Sequence, residues 1–409
     1  MRVLIAGGGI AGLAFALGLK QRGIDCEVYE SVPEMRALGV GITLLPHAMR
    51  ELSALGLEPA LREAGIENTT HKFFNRFGQW IYEERRGKFA GYPYPELGIH
   101  RGRLHMVLLE AANAQLGAGC IHTNHHCTGV EQDDRYVTAH FRQTTTGKPL
   151  ESARGDILVA CDGVNSAIRK QFYPNDKLVF AGINMWRGVT KHKPVFDGRT
   201  YMRVGAIDTG KMVIYPIIDN IDGRGNQLIN WVAELRRPGS AMNDWNKRGK
   251  LEDFFDVYQD WHFEWLDVAK LIQDAEQILE YPMVDKDPLE RWTFGRVTLM
   301  GDAAHPMYPR GANGAAQAII DSRTLCDLLA DSQDPREALA SYEKVRLDVT
   351  ANVVRTNRQY PPDYINIKVD ELTGGKPFAN IDDVISQEEL KRIAENYARI
   401  AGFSKEAVR

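Results

Sequence analysis

The first thirty residues constrain the fold most. Arg2-Val3-Leu4-Ile5-Ala6 reads as a buried parallel strand, because its apolar run does not alternate. Gly7-Gly8-Gly9-Ile10-Ala11-Gly12 follows, a G-x-G-x-x-G, and behind it Ile10, Leu13, Ala14 and Leu17 recur at helical spacing. Lys20 and Arg22 fall in the last turn and Gly23 stops the helix. Cys26-Glu27-Val28-Tyr29-Glu30 is a second strand, ended by Glu30. A lone glycine pattern is weak evidence. With strand, helix, second strand and terminal carboxylate around it, the pattern predicts a dinucleotide-binding βαβ unit. Gly7, Gly9 and Gly12, with Ala11 among them, allow the tight turn and close approach of a pyrophosphate, and Glu30 takes ribose hydroxyls. The unit does not distinguish NAD from FAD.

A second stretch has the same logic. Val297-Thr298-Leu299-Met300 is an apolar strand, Gly301 to Gly314 is glycine-rich, and Ala315 to about Ala330 is rich in helix formers. Such a layout aims backbone N–H groups and a positive helix end at an anion. Asp302 can accept hydrogen bonds from sugar-like hydroxyls, and Gly311 and Gly314 let a flat ring approach the backbone.

Together these residues resemble the FAD-dependent aromatic hydroxylases, single-component flavoprotein monooxygenases similar to p-hydroxybenzoate hydroxylase. The resemblance runs from Met1 to about Arg346. Ile99-His100-Arg101-Gly102, Met185-Trp186-Arg187-Gly188-Val189-Thr190 and Tyr281-Pro282-Met283-Val284-Asp285 are similar to the 5-methylphenazine-1-carboxylate 1-monooxygenase branch. It implies an α/β plus antiparallel β architecture: a Rossmann-like FAD-binding domain, an inserted antiparallel-sheet substrate domain and a C-terminal helical tail. The expected borders are 1–170 and 283–350 for the FAD-binding parts, 171–282 for the substrate domain and 351–409 for the tail. By the same resemblance Asp302 binds the ribityl chain, and Gly311, Gly314 and Ala315 sit at the pyrimidine end of the flavin. Arg36 and Gly41 belong to a segment that touches FAD and borders the substrate cavity. Arg101 contacts FAD, Val130 lies beside it, and Asp162, opening an Asp-Gly motif, serves FAD and nicotinamide engagement while capping the next helix.

Composition narrows the partners. The chain has 409 residues, enough for two or three domains, and a net charge of −4, which argues against an electrostatic nucleic-acid binder. No apolar run approaches the ~18 residues of a membrane span. A strand begins almost at once, leaving no room for a secretory signal. Cys26, Cys120, Cys127, Cys161 and Cys326 fit no zinc spacing or C-x-x-C pair; Cys26 and Cys161 read as buried thiols, and a reducing cytoplasm is the simple inference. No metal-ligand spacing appears, and the adjacent His125 and His126 alternate to opposite faces of a strand.

Between Arg169 and Pro282, strands are expected near Ile183–Thr190, Thr200–Val204, Met212–Ile217 and Leu228–Leu235, then a helix from Leu251 to Asp260. Ser386-Gln387-Glu388-Glu389 signals a last helix to about Ile400, in a tail that packs on the body or on a second subunit; the assembly is a monomer or homodimer.

The hard chemistry falls to the cofactor. No second complete fingerprint is present, so NADH or NADPH binds transiently. The resemblance implies a flavin hydroperoxide, formed with dioxygen, that hydroxylates a small aromatic substrate. The protein must then stabilise reduced flavin with the helix end after Gly314, exclude water and orient substrate. Leu45, Met185, Trp186 and Trp231 are candidate walls. Tyr215, Arg187 and Arg310 are candidate polar groups; Arg310 either clamps a carboxylate or phenolate or points to solvent. Pro309 is expected to shape the backbone beside the reactive face of the flavin, and His305 is structural or catalytic. Two alternatives remain: a non-oxygenating flavoprotein, either oxidase or redox sensor, and an NAD-dependent dehydrogenase that leaves residues 301–315 unexplained.

Overall fold

The computed structural model describes residues 1–117, 119–237 and 247–408. Arg2–Ala6 is buried from Val3 onward and pairs in parallel with Asp25–Tyr29 on one side and Ile157–Ala160 on the other. Val297–Leu299 adds in parallel beyond Ile157–Ala160, Ile121–His122 beyond Asp25–Tyr29, and antiparallel Thr293–Phe294 closes a six-stranded sheet. Strands buried on both faces carry unbroken apolar runs, which is why they are legible in sequence. The helices Ile10–Gln21 and Asn313–Asp331 lie together: the Ser322 hydroxyl donates to the Ala11 carbonyl at 3.1 Å, and a Cβ at Gly18 would stand 2.7 Å from the Cys326 sulfur. Cys26 and Cys161 are buried thiols. A meander of His126–Gln132, Val137–Arg142 and Ala153–Gly155 shares the core of this body.

The second body is a seven-stranded sheet, in order Ile278–Asp285, Val179–His192, Gln227–Arg236, Gly210–Ile218, Thr200–Ala206, Thr70–Phe74 and Trp80–Arg85. All neighbours run antiparallel except Thr70–Phe74 and Thr200–Ala206, which are parallel. The last two strands come from the segment before residue 170, outside the 171–282 stretch from which this sheet was expected. Their charges hide them in sequence: His71 stands 2.7 Å from Glu96, and Lys72 stands 3.0 Å from Glu83.

Alternation gives this sheet two faces. Trp186, Met202, Met212, Ile214 and Trp231 pack against Phe254, Tyr258, Trp261 and the Val268–Gln273 helix. Met185, Tyr201, Val213, Tyr215 and Val232 cluster with Tyr308 of the glycine-rich loop, so this inner face looks toward the first body. A small sheet of Gly41–Leu44, Leu97–His100 and Gly65–Glu67 joins the two. Gly41 is the strut: its N–H donates to Asn230 Oδ1 at 2.7 Å, and its carbonyl accepts from Arg187 Nη2 at 2.8 Å.

The helix expected from Leu251 to Asp260 is instead two single turns, Leu251–Asp253 and Phe255–Val257. The Tyr258 hydroxyl donates to the Lys211 and Glu234 carbonyls at 2.9 and 3.2 Å, and this anchor holds the segment to the sheet rather than in a continuous coil. The tail does form Tyr364–Thr373 and Gln387–Ile400, the latter capped by Ser386, whose hydroxyl accepts from Glu389 N at 3.3 Å. It packs on the body: Asn366 donates to Phe74 O at 2.8 Å, Tyr92 to Phe403 O at 2.8 Å and Gln317 to Ala401 O at 3.1 Å. Among the described residues no helix is long and apolar enough to cross a membrane.

Candidate active site

The turn after the first strand has two glycines closed by the chain and one open. A Cβ at Gly7, where φ is +108°, would lie 2.3 Å from the Cys161 carbonyl oxygen, and one at Gly12 would lie 2.0 Å from the Gly7 oxygen. Among the described residues a Cβ at Gly9 meets nothing within 4 Å, so the helix start faces open space. Glu30 braces this turn: Oε2 accepts from Gly8 N at 2.7 Å, and Oε1 accepts from the Ser31 hydroxyl and Val32 N at 2.9 and 2.8 Å. Ala11 packs against Gly301, whose added Cβ would stand 3.2 Å away, and so ties the first glycine turn to the second.

Around the opening, Asp162 accepts from Ala167 N at 2.9 Å through Oδ2, while its buried Oδ1 has no hydrogen-bond partner among the described residues. Burial pushes its carboxyl above the usual range, against the pull of those hydrogen bonds. Arg101 is the exposed first residue of Arg101–Leu116, with its stem beside Gly39. Arg36 is on the surface, paired with Glu34. Both backbone groups of Val130 are taken by Gln171, at 2.9 and 2.8 Å.

Asp302 opens onto the same groove while protein surrounds it; that burial raises its carboxyl, opposed by the charges of His305 and Arg101. Behind it lies a sealed network. His305 Nε2 stands 2.5 Å from Asp321 Oδ2, Arg346 Nε donates to Oδ1 at 2.7 Å, and Gly301 N donates to Oδ2 at 3.2 Å. Burial pushes Asp321 up, but His305 and Arg346 outweigh it and hold the carboxyl at about 2. His305 therefore braces the loop. The loop turns through Gly311 at φ +71° and Ala312 at φ +57° into the Asn313–Asp331 helix. A Cβ at Gly314 would be 3.9 Å from Asp302 Oδ1, so both ends of the stretch converge on one groove. Ala315 follows in the first turn of the helix.

Beside Gly311 and Ala312 is a cavity of about 370 Å³. Thr43, Tyr201 and Arg203 line it from the sheets, Leu45 from the cap of the Pro46–Ala54 helix, and Tyr397 and Phe403 from the tail. Tyr397 is seated on the loop: its hydroxyl accepts from Asn313 Nδ2 at 2.8 Å and donates to Asn357 Oδ1 at 2.9 Å. Tyr215 stacks on Tyr201 at 4.8 Å, and Tyr201 on His71 at 4.3 Å. Burial raises the Tyr215 phenol, opposed by the charge of Arg187.

Residues 1–357 match the family described as FAD binding domain. The chain belongs to the FAD binding domain family. A phenazine 1,6-dicarboxylic acid hydroxylase of Lysobacter antibioticus is 41% identical over 361 residues, covering 87% of this chain and 89% of that protein. A 3-amino-4-hydroxybenzoate 2-monooxygenase of Streptomyces cremeus is 31% identical over 372 residues, 89% and 88% of the two chains. Among solved structures, Klebsiella pneumoniae HpxO complexed with FAD and uric acid superposes with a TM-score of 0.75 at 23% identity, over 100% of this chain and 96% of that one. A salicylate hydroxylase substrate complex superposes at 0.75 and 19%, over 100% and 97%.

The groove suits the cofactor of the FAD binding domain family. Open space at Gly9, the orphaned Asp162 oxygen and the groove-facing Asp302 are the features a pyrophosphate and hydroxylated chain require. Several sequence expectations need correction. Trp231 and Trp186 are not cavity walls. Their positions in the strands put them on the outer face, where Trp231 Nε1 donates to Thr190 Oγ1 at 3.0 Å and Trp186 stacks on Phe254 at 4.9 Å. Arg310 neither reaches the cavity nor points to solvent: it is buried, with Nη2 3.9 Å from Asp363. The other candidates are not overturned: Arg187 Nη2 donates to the Gly41 carbonyl at 2.8 Å, Met185 lies on the inner face with Tyr308, and Pro309 is exposed beside Tyr308. Arg203 and Tyr397 were missed. A signal for Arg203 exists in Tyr201-Met202-Arg203-Val204, where alternation sets a guanidinium on an otherwise aromatic face. Among the described residues no group of three or more His, Cys, Asp or Glu could hold a metal ion.

Proposed function

We propose that this FAD-dependent aromatic monooxygenase hydroxylates a fused-ring or N-heteroaromatic substrate, with NADH or NADPH as transient reductant and dioxygen as the oxygen source. The observation that carries the reading is the aromatic-walled cavity of about 370 Å³ against the Gly311–Ala312 turn, within the size range of small-molecule sites. The names of the two curated relatives, one a phenazine hydroxylase and one a benzoate monooxygenase, support a ring substrate. Bound FAD supplies electron storage and oxygen activation. The chain's own residues do the rest. Gly9, Asp162 and Asp302 would hold the cofactor, and Glu30 and His305 brace the two turns. The start of the Asn313–Asp331 helix would supply positive potential to a reduced flavin bound in the groove. Tyr201, Tyr397 and Phe403 keep water from the reacting face.

The balance is one aromatic C–H, one dioxygen, one NAD(P)H and one proton giving one C–OH, one water and NAD(P)⁺. We further place the enzyme in the cytoplasm, as a monomer or homodimer. Turnover under labelled dioxygen, with mass spectrometry of the product, tests the reading. One labelled atom in the hydroxylated ring is expected. Label arriving only from water, or peroxide accounting for all NAD(P)H consumed with every ring compound tried, overturns it in favour of an oxidase.

A further inference from the structure

The inner face of the seven-stranded sheet carries more positive charge than it pairs. Lys211 Nζ stands 3.0 and 2.9 Å from the two Glu234 oxygens and 3.2 Å from Asp363. Arg310 stands 3.9 Å from the same Asp363. Both buried carboxylates thus have a cation in ion-pair range, though among the described residues neither Asp363 oxygen has a hydrogen-bond partner. Arg203, one strand away, has none to itself. It is 7% exposed, its Nε has no hydrogen-bond partner, and among the described residues no carboxylate lies in ion-pair range of it. Asp363 feels its charge only after those of Lys211 and Arg310. The Arg203 guanidinium lies 5.2 Å from the centre of the Tyr201 ring and 5.7 Å from that of Phe73. Aromatic faces attract a cation but do not neutralise it.

Arg203 lines the cavity, and the other acidic groups there are engaged. Glu84 stands 2.9 Å from Arg86, which also holds Glu96 at 2.7 Å, and Glu395 stands 3.7 Å from Lys391 on the exposed tail. A buried guanidinium that cannot lose its proton and has no anion of its own is costly, and a ligand anion relieves that cost. Its planar fork suits a carboxylate. The walls around it are Phe73, Tyr82, Tyr201, Tyr397 and Phe403, the last two supplied by the tail.

We propose that this chamber, roofed by the tail, takes a ring carboxylate whose anionic group is held by Arg203, leaving the ring against Gly311 and Ala312. The assignment rests on the aromatic monooxygenase reading and deepens it by naming the substrate charge and its anchor.

The test uses oxidised, FAD-loaded full-length protein and two matched pairs: phenazine-1-carboxylate with its carboxamide, and 4-hydroxybenzoate with its carboxamide. Binding is followed calorimetrically and by the flavin visible spectrum, without NAD(P)H, for wild type, Arg203→Gln and Arg203→Lys. FAD content and circular dichroism serve as fold controls. For at least one pair, wild type is expected to bind the acid more tightly than the amide by about ten- to a hundred-fold, the scale of a charge-assisted hydrogen-bonded pair. Arg203→Gln should abolish that preference with little change for the amide, and Arg203→Lys should restore part of it. Equal affinity for acid and amide in wild type, equal losses for both in Arg203→Gln, or no binding of any of the four compounds overturns the proposal. Should Arg203→Gln fail to fold, Arg203→Lys and the wild-type preference still decide. Because no turnover is measured, an intact preference alongside failed oxygen labelling removes the monooxygenase reading and leaves the anchor standing.

Discussion

Asp302 and Asp321 lie near one loop, yet their surroundings drive them in opposite directions. Asp302 faces the groove with no cation in ion-pair range among the described residues, and burial raises it against the charges of His305 and Arg101. It has acceptor capacity for a hydroxylated ligand. Asp302→Ala should weaken FAD binding about ten- to a hundred-fold, the loss of charge-assisted hydrogen bonds of roughly 1.5–3 kcal/mol, with the fold kept. Unchanged FAD retention after dialysis would take Asp302 out of the site. Asp321 is fully buried and held at about 2 by His305 and Arg346. Its folded pKa lies below the ordinary value of 3.8, so its contribution to stability is present above that value and is lost as the pH falls through about 2. Asp321→Asn leaves Arg346 buried without its charge partner and should cost about 3–5 kcal/mol by denaturant unfolding near neutral pH. The gap between wild type and variant should narrow between about pH 4 and about pH 2. A pH-independent gap would show that the pair is not what holds the loop.

At the scale of elements, the tail and the glycine-rich loop meet at one hydroxyl. A Cβ at Gly311 would lie 1.8 Å from the Tyr397 oxygen, so this position requires glycine for space as well as for its φ of +71°. The same hydroxyl links Asn313, the first residue of the long helix, to Asn357. Tyr397→Phe removes both hydrogen bonds and leaves two buried amides short of partners, at a cost of about 1–3 kcal/mol for each unsatisfied group. The expected signature is functional as well as structural. FAD content should hold, while the share of NAD(P)H oxidation released as peroxide rises several-fold, because the helix start and the cavity roof lose their common tie. A variant less stable but unchanged in its peroxide-to-product ratio would show that Tyr397 only supports the fold.

Across the whole molecule, the two bodies are locked through Gly41, where an added Cβ would come within 2.7 Å of the Asn230 side chain. With Arg187 on the other side of the same residue, the FAD groove and the inner face of the sheet share one strut. The protein should therefore unfold in a single cooperative transition. Excess FAD should move all of it upward, by about 2.7 kcal/mol at a hundred times Kd. Calorimetry with two resolved peaks, only one of them FAD-dependent, would show that the sheet folds on its own.

What the residues themselves determined was the cofactor half. Arg2 to Glu30 and Gly301 to Ala315 each carry their pattern locally: an apolar run, a turn only glycine can make, a helix at once behind it. Such features are set by neighbours along the chain, so they can be read without partners. The substrate half was decided by tertiary structure. Alternation showed that the strands from Val179 onward have two faces, but not which face looks toward the glycine-rich loop. Trp231 therefore falls outside and Arg203 inside for a reason no local pattern contains. The same holds for Thr70–Phe74, whose charges found partners only on folding, and for Arg310, turned inward by Asp363 from the tail. Spacing along a strand fixes which residues share a side; contacts between residues far apart in the chain fix what that side touches.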